Sequence, residues 1–371
     1  MHSRRHFIRH STMAATALAL AKPALGFSIS HPLRPDPQEE IIGHGEFRYK
    51  VDKNWAKISV NSNPLSNCHE MVQDSKGRLI MLGDDTHNNI LIFDKSGKLL
   101  DYWGTAFPGG HGLTISREGG EDFLLLTDCG WYQNRAGDWN PQAGQVVKTT
   151  LDGKLLFSIG HPRTIGIYSD EEPFMPTETA VAPNGDIYVA DGYGSDYIIQ
   201  YNHRGQYIHH FGGHHNQDPD HNLHNAHGVA VDLRDKNRPV LICTSREENC
   251  FKIFTLDGRF LRRVDLPGMY VCRAVPDGDH IYAGICWSKD ASGKMLDDNS
   301  GFVTILDRDN RVVSNPGGAA PLYRDGVLQQ TLRAANPVFQ HGHDVCVDED
   351  KNLYVCQWNA AHTAPVKLVR V

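Results

Sequence analysis

Apolar and polar residues alternate over short stretches of this chain, and turn-forming Gly, Asn and Asp residues separate the stretches. The pattern is clearest in residues 183–213, and it recurs in residues 75–104 and 236–264. An alternation with a period of two, interrupted by turn residues at close spacing, predicts antiparallel strands. Almost no segment has the helical period, so we expect an all-β protein.

The strand pattern repeats as six units, and each unit has room for four short strands. The units cover residues 64–104, 107–160, 172–213, 221–267, 269–315 and 336–371. Repeats of about 40–45 residues with four strands are typical of β-propeller blades, so we predict a six-bladed β-propeller. The last unit has only three strands, and we expect residues 45–52 to supply its fourth strand and close the ring. Segments such as HGVAVD resemble NHL-type repeats.

Residues 1–26 have the layout of an export signal. Three arginines near the start are followed by an apolar stretch and then by small residues, which is typical of a cleaved secretory signal. The run SRRHFI resembles a twin-arginine signal, so we expect a periplasmic or secreted protein, with a short membrane anchor as the alternative. Residues 27–44 are expected to be a linker and residues 45–371 a single propeller domain. No later apolar stretch is long enough for a membrane span, so stable membrane insertion is not expected.

Composition changes this picture in two places. The 371 residues include 44 acidic and 37 basic residues, and the net charge of −7 argues against a nucleic-acid partner. The chain also has 21 histidines and 8 cysteines. Export permits disulfides, although buried free thiols are the alternative. Six cysteines form three close pairs that flank predicted hairpin turns: Cys243 with Cys250, Cys272 with Cys286, and Cys346 with Cys356. We expect a monomer.

Four histidines occupy one position when the first strands of the units are aligned. They are His69, His111, His227 and His343. The last three belong to units two, four and six, which a six-fold ring places symmetrically around its channel, so we predict that they converge on a metal. Three imidazoles with an open fourth position suit a catalytic zinc, although iron, copper and nickel also accept imidazole. The alternative is that His-Gly is a packing feature of the repeat.

These histidine segments resemble those of the lyase domain of the peptidylglycine amidating enzyme, and the resemblance covers most of residues 64–371. In that family three histidines from three blades hold a catalytic zinc, in segments similar to HGLTI, AHGVA and GHDV here. The run ADGY, followed by IIQY, is similar to the turn that carries the family's catalytic tyrosine, which implies that role for Tyr193. The run TSREEN is similar to its active-site arginine segment, which implies a role for Arg246.

The resemblance also implies a structural calcium ion, held by the Leu113 carbonyl and the Asp344 carboxylate. The chain departs from the family in the first blade, where an arginine that clamps the substrate carboxylate would lie near Asp84, and no arginine is present. The substrate is therefore expected to be a small molecule, a peptide or a glycoside-type compound. Candidate groups that face the substrate or support the ligands are His69, Asp84, Glu178, Arg273 and His341.

A metal, a tyrosine and an arginine together suit an elimination reaction. A Lewis acid acidifies a hydroxyl, and a neighbouring positive charge such as Arg246 favours the ionised form of Tyr193 as a base. We therefore expect a metal-dependent lyase that cleaves a C–N or C–O bond. Two alternatives remain. One is a metal-dependent lactonase or esterase, although such propellers usually use carboxylate and amide ligands for calcium. The other is a non-enzymatic binding or scaffold propeller.

Overall fold

The structure is a computed structural model that describes residues 40–59, 61–134, 136–297 and 299–371. The predicted signal peptide and residues 27–39 of the predicted linker lie outside the described residues. Glu40–Val371 forms one compact unit. Among the described residues no helix is long and apolar enough to cross a membrane.

The predicted six-bladed β-propeller is confirmed. Each blade is an antiparallel sheet whose strands follow one another from the channel outward. Blade 1 consists of Cys68–Gln73, Leu79–Gly83, Ile90–Phe93 and Leu99–Trp103. Blade 2 consists of Gly110–Glu118, Glu121–Asp128, Gln145–Thr150 and Leu155–Ile159. Blade 3 consists of Glu178–Val181, Ile187–Ala190, Tyr197–Tyr201 and Tyr207–Gly212. Blade 4 consists of Val229–Asp232, Val240–Ser245, Cys250–Thr255 and Phe260–Asp265. Blade 5 consists of Met269–Asp277, His280–Ser288, Phe302–Leu306 and Val312–Ser314. Blade 6 consists of Gly342–Val347, Leu353–Gln357, Val366–Arg370 and Phe47–Asp52.

Short elements decorate this ring. A hairpin of Trp131–Gln133 and Trp139–Pro141 is inserted in blade 2. A second hairpin, Tyr323–Arg324 with Val327–Leu328, follows blade 5, and the single short helix of the described chain is the 3-10 turn Pro162–Ile165.

The N-terminal strand closes the last blade, as predicted. Phe47–Asp52 pairs antiparallel with Val366–Arg370. One detail differs from the expected linker, because Ile41–His44 forms a fifth strand on the outer edge of this blade. The reason is local: Gly43 and Gly45 adopt left-handed conformations, and the Ile42 side chain packs on the core of blade 6.

The core consists of the layers between blades. Six clusters of buried apolar side chains each join one blade to the next around the ring. The innermost strand of every blade also contacts the innermost strand of its neighbour, and blade 6 contacts blade 1 in the same way. The middle strands are therefore buried on both faces, which explains their continuous apolar runs.

Bulges interrupt the innermost strands of four blades, and three of these bulges contain a histidine. The strand register shifts between Cys68 and Glu70 in blade 1, and between Gly342 and Asp344 in blade 6. Similar shifts occur in blades 2 and 5. Consecutive residues of a regular strand face opposite sides, whereas a bulge redirects a side chain. The bulges explain how a histidine and the residue after it both take part in interactions at the channel.

Tyr49 gives a test of the closing strand. Its side chain is fully buried, and its hydroxyl accepts a hydrogen bond from Arg370 Nη1 at 3.0 Å. We expect Tyr49→Ala to reduce the free energy of unfolding by about 3–5 kcal/mol, through the cavity that it leaves in the seam between the chain termini. Tyr49→Phe, the matched control, should cost only about 1 kcal/mol. Denaturant titration measures both, and an alanine variant as stable as the phenylalanine variant would contradict this role.

Candidate metal and catalytic site

Four buried histidines meet at the channel. Three lie in innermost strands, and His227 lies two residues before the innermost strand of blade 4. The ring centroid of His111 lies 4.7 Å from those of His227 and His343, which lie 5.0 Å from each other. His69 joins them, with centroid distances of 5.1 Å to His111 and to His343. The structure therefore brings together the four histidines that the blade alignment placed at one position.

Backbone carbonyls orient two of these rings. His111 Nδ1 donates to the Thr177 carbonyl at 2.8 Å, and His343 Nδ1 donates to the His69 carbonyl at 3.0 Å. A carbonyl can only accept, so in the neutral rings the lone pair is on Nε2. Neither ring nitrogen of His227 has a hydrogen-bond partner among the described residues. Such orphaned nitrogens in a buried position fit a metal-binding site.

The potential ligand atoms form two overlapping sets within the described chain. Those of His69, His111 and His343 lie within 4.8 Å of one another, and so do those of His227, Cys272 and His343. The three predicted ligands are thus divided between the two sets, and His343 is common to both. Imidazole and thiolate donors suit zinc and related transition metals.

Burial keeps the three predicted ligands neutral. It lowers the pKa of His111, His227 and His343 well below the usual value, and the positive charge of Arg246 lowers each of them further. The neutral imidazole is the form that binds a metal.

The turn that carries Tyr193 is held by Asp191. This buried carboxylate accepts hydrogen bonds from the backbone N–H of Met175 at 2.6 Å and of Ser195 at 2.8 Å. Gly192 is required beside it, because a Cβ there would lie 2.3 Å from the Ala226 carbonyl oxygen. The sequence ADGY is therefore a rigid support that packs the tyrosine against the next blade.

Tyr193 faces the histidines. Its hydroxyl lies 3.2 Å from His111 Nε2, and its ring packs edge-on against His111 and His227. Burial raises the pKa of Tyr193, while the charge of Arg246 acts in the opposite direction. The Tyr193 hydroxyl therefore donates a hydrogen bond to His111 Nε2.

Arg246 is buried in the turn after the second strand of blade 4. Its Nη2 donates to Cys272 Sγ at 3.1 Å, and its guanidinium carbon lies 4.3 Å from the centre of the Tyr270 ring. Its Nε has no hydrogen-bond partner among the described residues. Burial alone would raise the pKa of Cys272, but a hydrogen bond with Cys286 and the charge of Arg246 lower it. Cys272 was expected only as a possible disulfide partner of Cys286, so its contact with Arg246 was not predicted.

A cavity of about 320 Å³ opens onto the site. The cavity lining contains four predicted residues and three tryptophans. It consists of His69, Asp84, Gly109, His111, Cys129, Trp131, Trp139, Tyr193 and Trp358. Asp84 accepts from Asn67 and lies 3.4 Å from His69 Nε2, so it supports that ring. Trp131 and Trp139 come from the hairpin inserted in blade 2, which no sequence signal identified.

His341, which was expected to face the substrate or support the ligands, packs in an aromatic cluster. Its Nδ1 bonds to the Trp358 carbonyl at 2.9 Å, and its ring centroid lies 4.5 Å from that of Trp287. Trp358 is also part of the cavity lining.

The four other predicted residues, Leu113, Glu178, Arg273 and Asp344, meet in a separate cluster. The Arg273 guanidinium contacts the Leu113 carbonyl oxygen and both carboxylates. Glu178 and Arg273, which were expected to face the substrate or support the ligands, thus contact each other, and neither lines the cavity beside Tyr193. Leu113 and Asp344 also do not fit the expected calcium site, because the cationic guanidinium of Arg273 already contacts both of their oxygen atoms.

All eight cysteines are free and buried, so the anticipated disulfides are not present. Strand register explains two of the pairs. Ser245 lies opposite Cys250, and Asp344 lies opposite Cys356, which leaves Cys243 and Cys346 in diagonal positions. Diagonal neighbours are about 7–8 Å apart, too far for a disulfide.

Comparison with known proteins gives two curated relatives. No protein-family model matches the chain. A Caenorhabditis elegans protein named Probable peptidyl-alpha-hydroxyglycine alpha-amidating lyase is 33% identical over 126 residues, which are 33% of this chain and 31% of that protein. The Drosophila melanogaster protein named Peptidyl-alpha-hydroxyglycine alpha-amidating lyase 1 is 27% identical over 284 residues, or 71% of this chain and 46% of that one. The matched part thus spans a third to a half of the relatives' length.

Solved structures match the fold. A gluconolactonase from Xanthomonas campestris superimposes with a TM-score of 0.54, at 11% identity, over 88% of this chain and 90% of that one. At this identity the match concerns the propeller architecture.

Metal analysis tests the histidine site. We expect the purified protein to contain about one transition-metal ion per chain, and His111→Ala, His227→Ala or His343→Ala to weaken its binding by more than about 100-fold, since even residues that support a ligand cost 10–100-fold. His87→Ala is the matched control, because this histidine is exposed and lies outside the cluster. Elemental analysis after dialysis checks the expectation, and full occupancy in all three variants would contradict the assignment.

Proposed function

We propose that this six-bladed propeller, which is similar in sequence to two amidating lyases, is a metal-dependent lyase that cleaves a C–N bond. The observation that carries the proposal is the meeting of His111, His227 and His343 with the Tyr193 hydroxyl, which lies 3.2 Å from His111 Nε2. The names of both relatives support the reaction class.

The chemistry follows from the donor set. His111, His227 and His343 would hold the metal, with His69 or Cys272 as additional donors. When bound, a divalent metal supplies a Lewis acid that favours loss of a hydroxyl proton. Cleavage of an α-hydroxyglycine compound then requires that the hydroxyl proton leaves, that the C–N bond breaks as the carbonyl forms, and that the nitrogen gains a proton. The products are an amide and glyoxylate.

Tyr193 is the group that moves the proton. Its hydroxyl oxygen lies 3.2 Å from a ring nitrogen at the site, so it is within reach of a substrate bound among the histidines. Burial opposes ionisation of the phenol, and the positive charge of Arg246 favours it. Arg246 thus has an electrostatic role that depends on its fixed position against Tyr270 and Cys272.

The cavity wall indicates the substrate class. Three tryptophans and the Asp84 carboxylate line it, and among the described residues no Lys or Arg does so. An aromatic or apolar group would fit against the tryptophans, whereas a second anionic group would be repelled by Asp84. We therefore propose an N-acyl hydroxyglycine compound with an apolar acyl group as the substrate.

The proposal includes export to the periplasm or beyond the cell. Its support is the basic and apolar pattern of residues 1–26. Fractionation of cells that express the full chain tests it, and enzyme confined to the cytoplasm at its unprocessed mass would contradict it.

A glyoxylate-release assay tests the activity. The metal-loaded protein is incubated with benzoyl-α-hydroxyglycine, and glyoxylate and the amide are measured in parallel. Equal amounts of both products are expected. Hydrolysis of lactones or aryl esters without release of glyoxylate would contradict the lyase proposal and support a hydrolase. Bound metal with neither activity would contradict both enzyme proposals and support a scaffold propeller.

Removal of one hydroxyl tests the role of Tyr193. We expect Tyr193→Phe to lower kcat by about 100- to 10,000-fold, the usual contribution of proton transfer by a side chain. Metal content should stay unchanged, since His111, His227 and His343 would still hold the ion. Unchanged kcat in the metal-loaded variant would contradict the proposal.

Removal of one tryptophan tests the substrate class. Trp139 is partly exposed on the inserted hairpin, so Trp139→Ala should fold normally. We expect KM for the benzoyl substrate to rise about 10-fold, because roughly 1–3 kcal/mol of aromatic contact is lost. An acetyl analogue should show little change. Tyr102→Ala, at an exposed position on the outer strand of blade 1, is the control, and an equal effect on both substrates would contradict the model.

A further inference from the structure

A single guanidinium is surrounded by oxygen atoms of four other blades. Arg273 of blade 5 pairs with Asp344 through Nε at 2.7 Å and Nη2 at 3.0 Å. Its Nη1 lies 3.1 Å from Glu70 Oε2 and 3.5 Å from Glu178 Oε2. The carbonyl oxygens of Leu113 and Met71 complete the shell, at 3.0 and 3.3 Å. We call these six residues the arginine cage.

The donor set of the arginine cage is that of a hard metal ion. Three carboxylates and two backbone carbonyls converge on one point, and only oxygen faces it. Calcium takes six to eight such ligands in flexible geometry. The three carboxylates are almost completely buried, so without a cation they would repel one another in a medium of low dielectric constant.

The guanidinium offsets the charge of the arginine cage. It lies within ion-pair distance of all three carboxylates, those of Glu70, Glu178 and Asp344. Its fixed positive charge reduces their mutual repulsion, which a neutral side chain could not do.

The arginine cage also joins the backbone of neighbouring blades. Glu70 accepts from the backbone N–H of Leu113 at 2.6 Å, and Asp344 accepts from that of Met71 at 3.0 Å. Glu70 directly follows His69, and Asp344 directly follows His343. The cation therefore fixes the strand segments from which two of the site histidines project.

We propose that Arg273 is a built-in replacement for a structural calcium ion, so that the propeller is stable without calcium. The cage remains a latent cation site, which truncation of Arg273 would open to Ca²⁺. This inference concerns the stability of the ring, and it stands whether or not the chain has lyase activity.

The test compares thermal midpoints with and without about 1 mM Ca²⁺, a concentration at which extracellular modules bind it. The wild-type midpoint should not respond. Arg273→Ala should lower the midpoint by about 10 °C, because it leaves buried carboxylates without a partner. Ca²⁺, but not Mg²⁺, should restore at least half of that loss. Equilibrium dialysis should then find one Ca²⁺ per chain in the variant and none in the wild type.

Three further variants separate charge from volume. Arg273→Met fills the cage without charge, so it should be destabilised and Ca²⁺ should not rescue it. Arg273→Lys keeps the charge with fewer donors, and it should be intermediate in stability and insensitive to Ca²⁺. Arg238→Ala removes an exposed ion pair with Asp235 and should leave the midpoint unchanged.

Several results would overturn the inference. One is an alanine variant as stable as the wild type without calcium. A second is an alanine variant that Ca²⁺ does not stabilise, including one that stays unfolded in its presence. A third is a wild-type protein that binds one Ca²⁺ per chain and gains stability from it.

Discussion

The ion pairs of Arg273 hold the centre of this molecule together. One side chain from blade 5 bonds to carboxylates or carbonyls of blades 1, 2, 3 and 6. A buried ion pair costs desolvation energy, and it is tolerated only where nearly every donor and acceptor is satisfied. Here Glu70 and Asp344 also accept hydrogen bonds from backbone N–H groups. These bonds fix the positions of the carboxylates, in addition to the charge neutralisation by Arg273.

The candidate site is built directly on this centre. His69 and His343 are the residues before Glu70 and Asp344, and bulges in the innermost strands allow both members of each pair to face inward. The candidate site adds a second polar layer in which imidazoles and a guanidinium are buried beside a phenol. Burial has the same consequence for His111, His227 and His343, since it favours the neutral form that a metal requires.

Much of this arrangement could be predicted, because the repeat carries it. The alternation of apolar residues indicated six blades, and alignment of their first strands brought His69, His111, His227 and His343 to one position. The strand at Phe47–Asp52 was expected because the last unit lacked one. The edge strand Ile41–His44 was missed, because its apolar residues are too few to show a period.

Electrostatics and close contacts set the limit of such prediction. In the sequence Arg273 and Asp344 are both plausible substrate or ligand residues, and only their mutual contact at 2.7 Å shows that one is the partner of the other. The same holds for Cys272 beside Arg246, and for the two tryptophans of the inserted hairpin that line the cavity. The sequence by itself determined the ring, its closure and the histidine layer, since these follow from local periodicity. Only the tertiary structure decided which charge neutralises which, because that depends on distances of a few ångströms between residues from different blades.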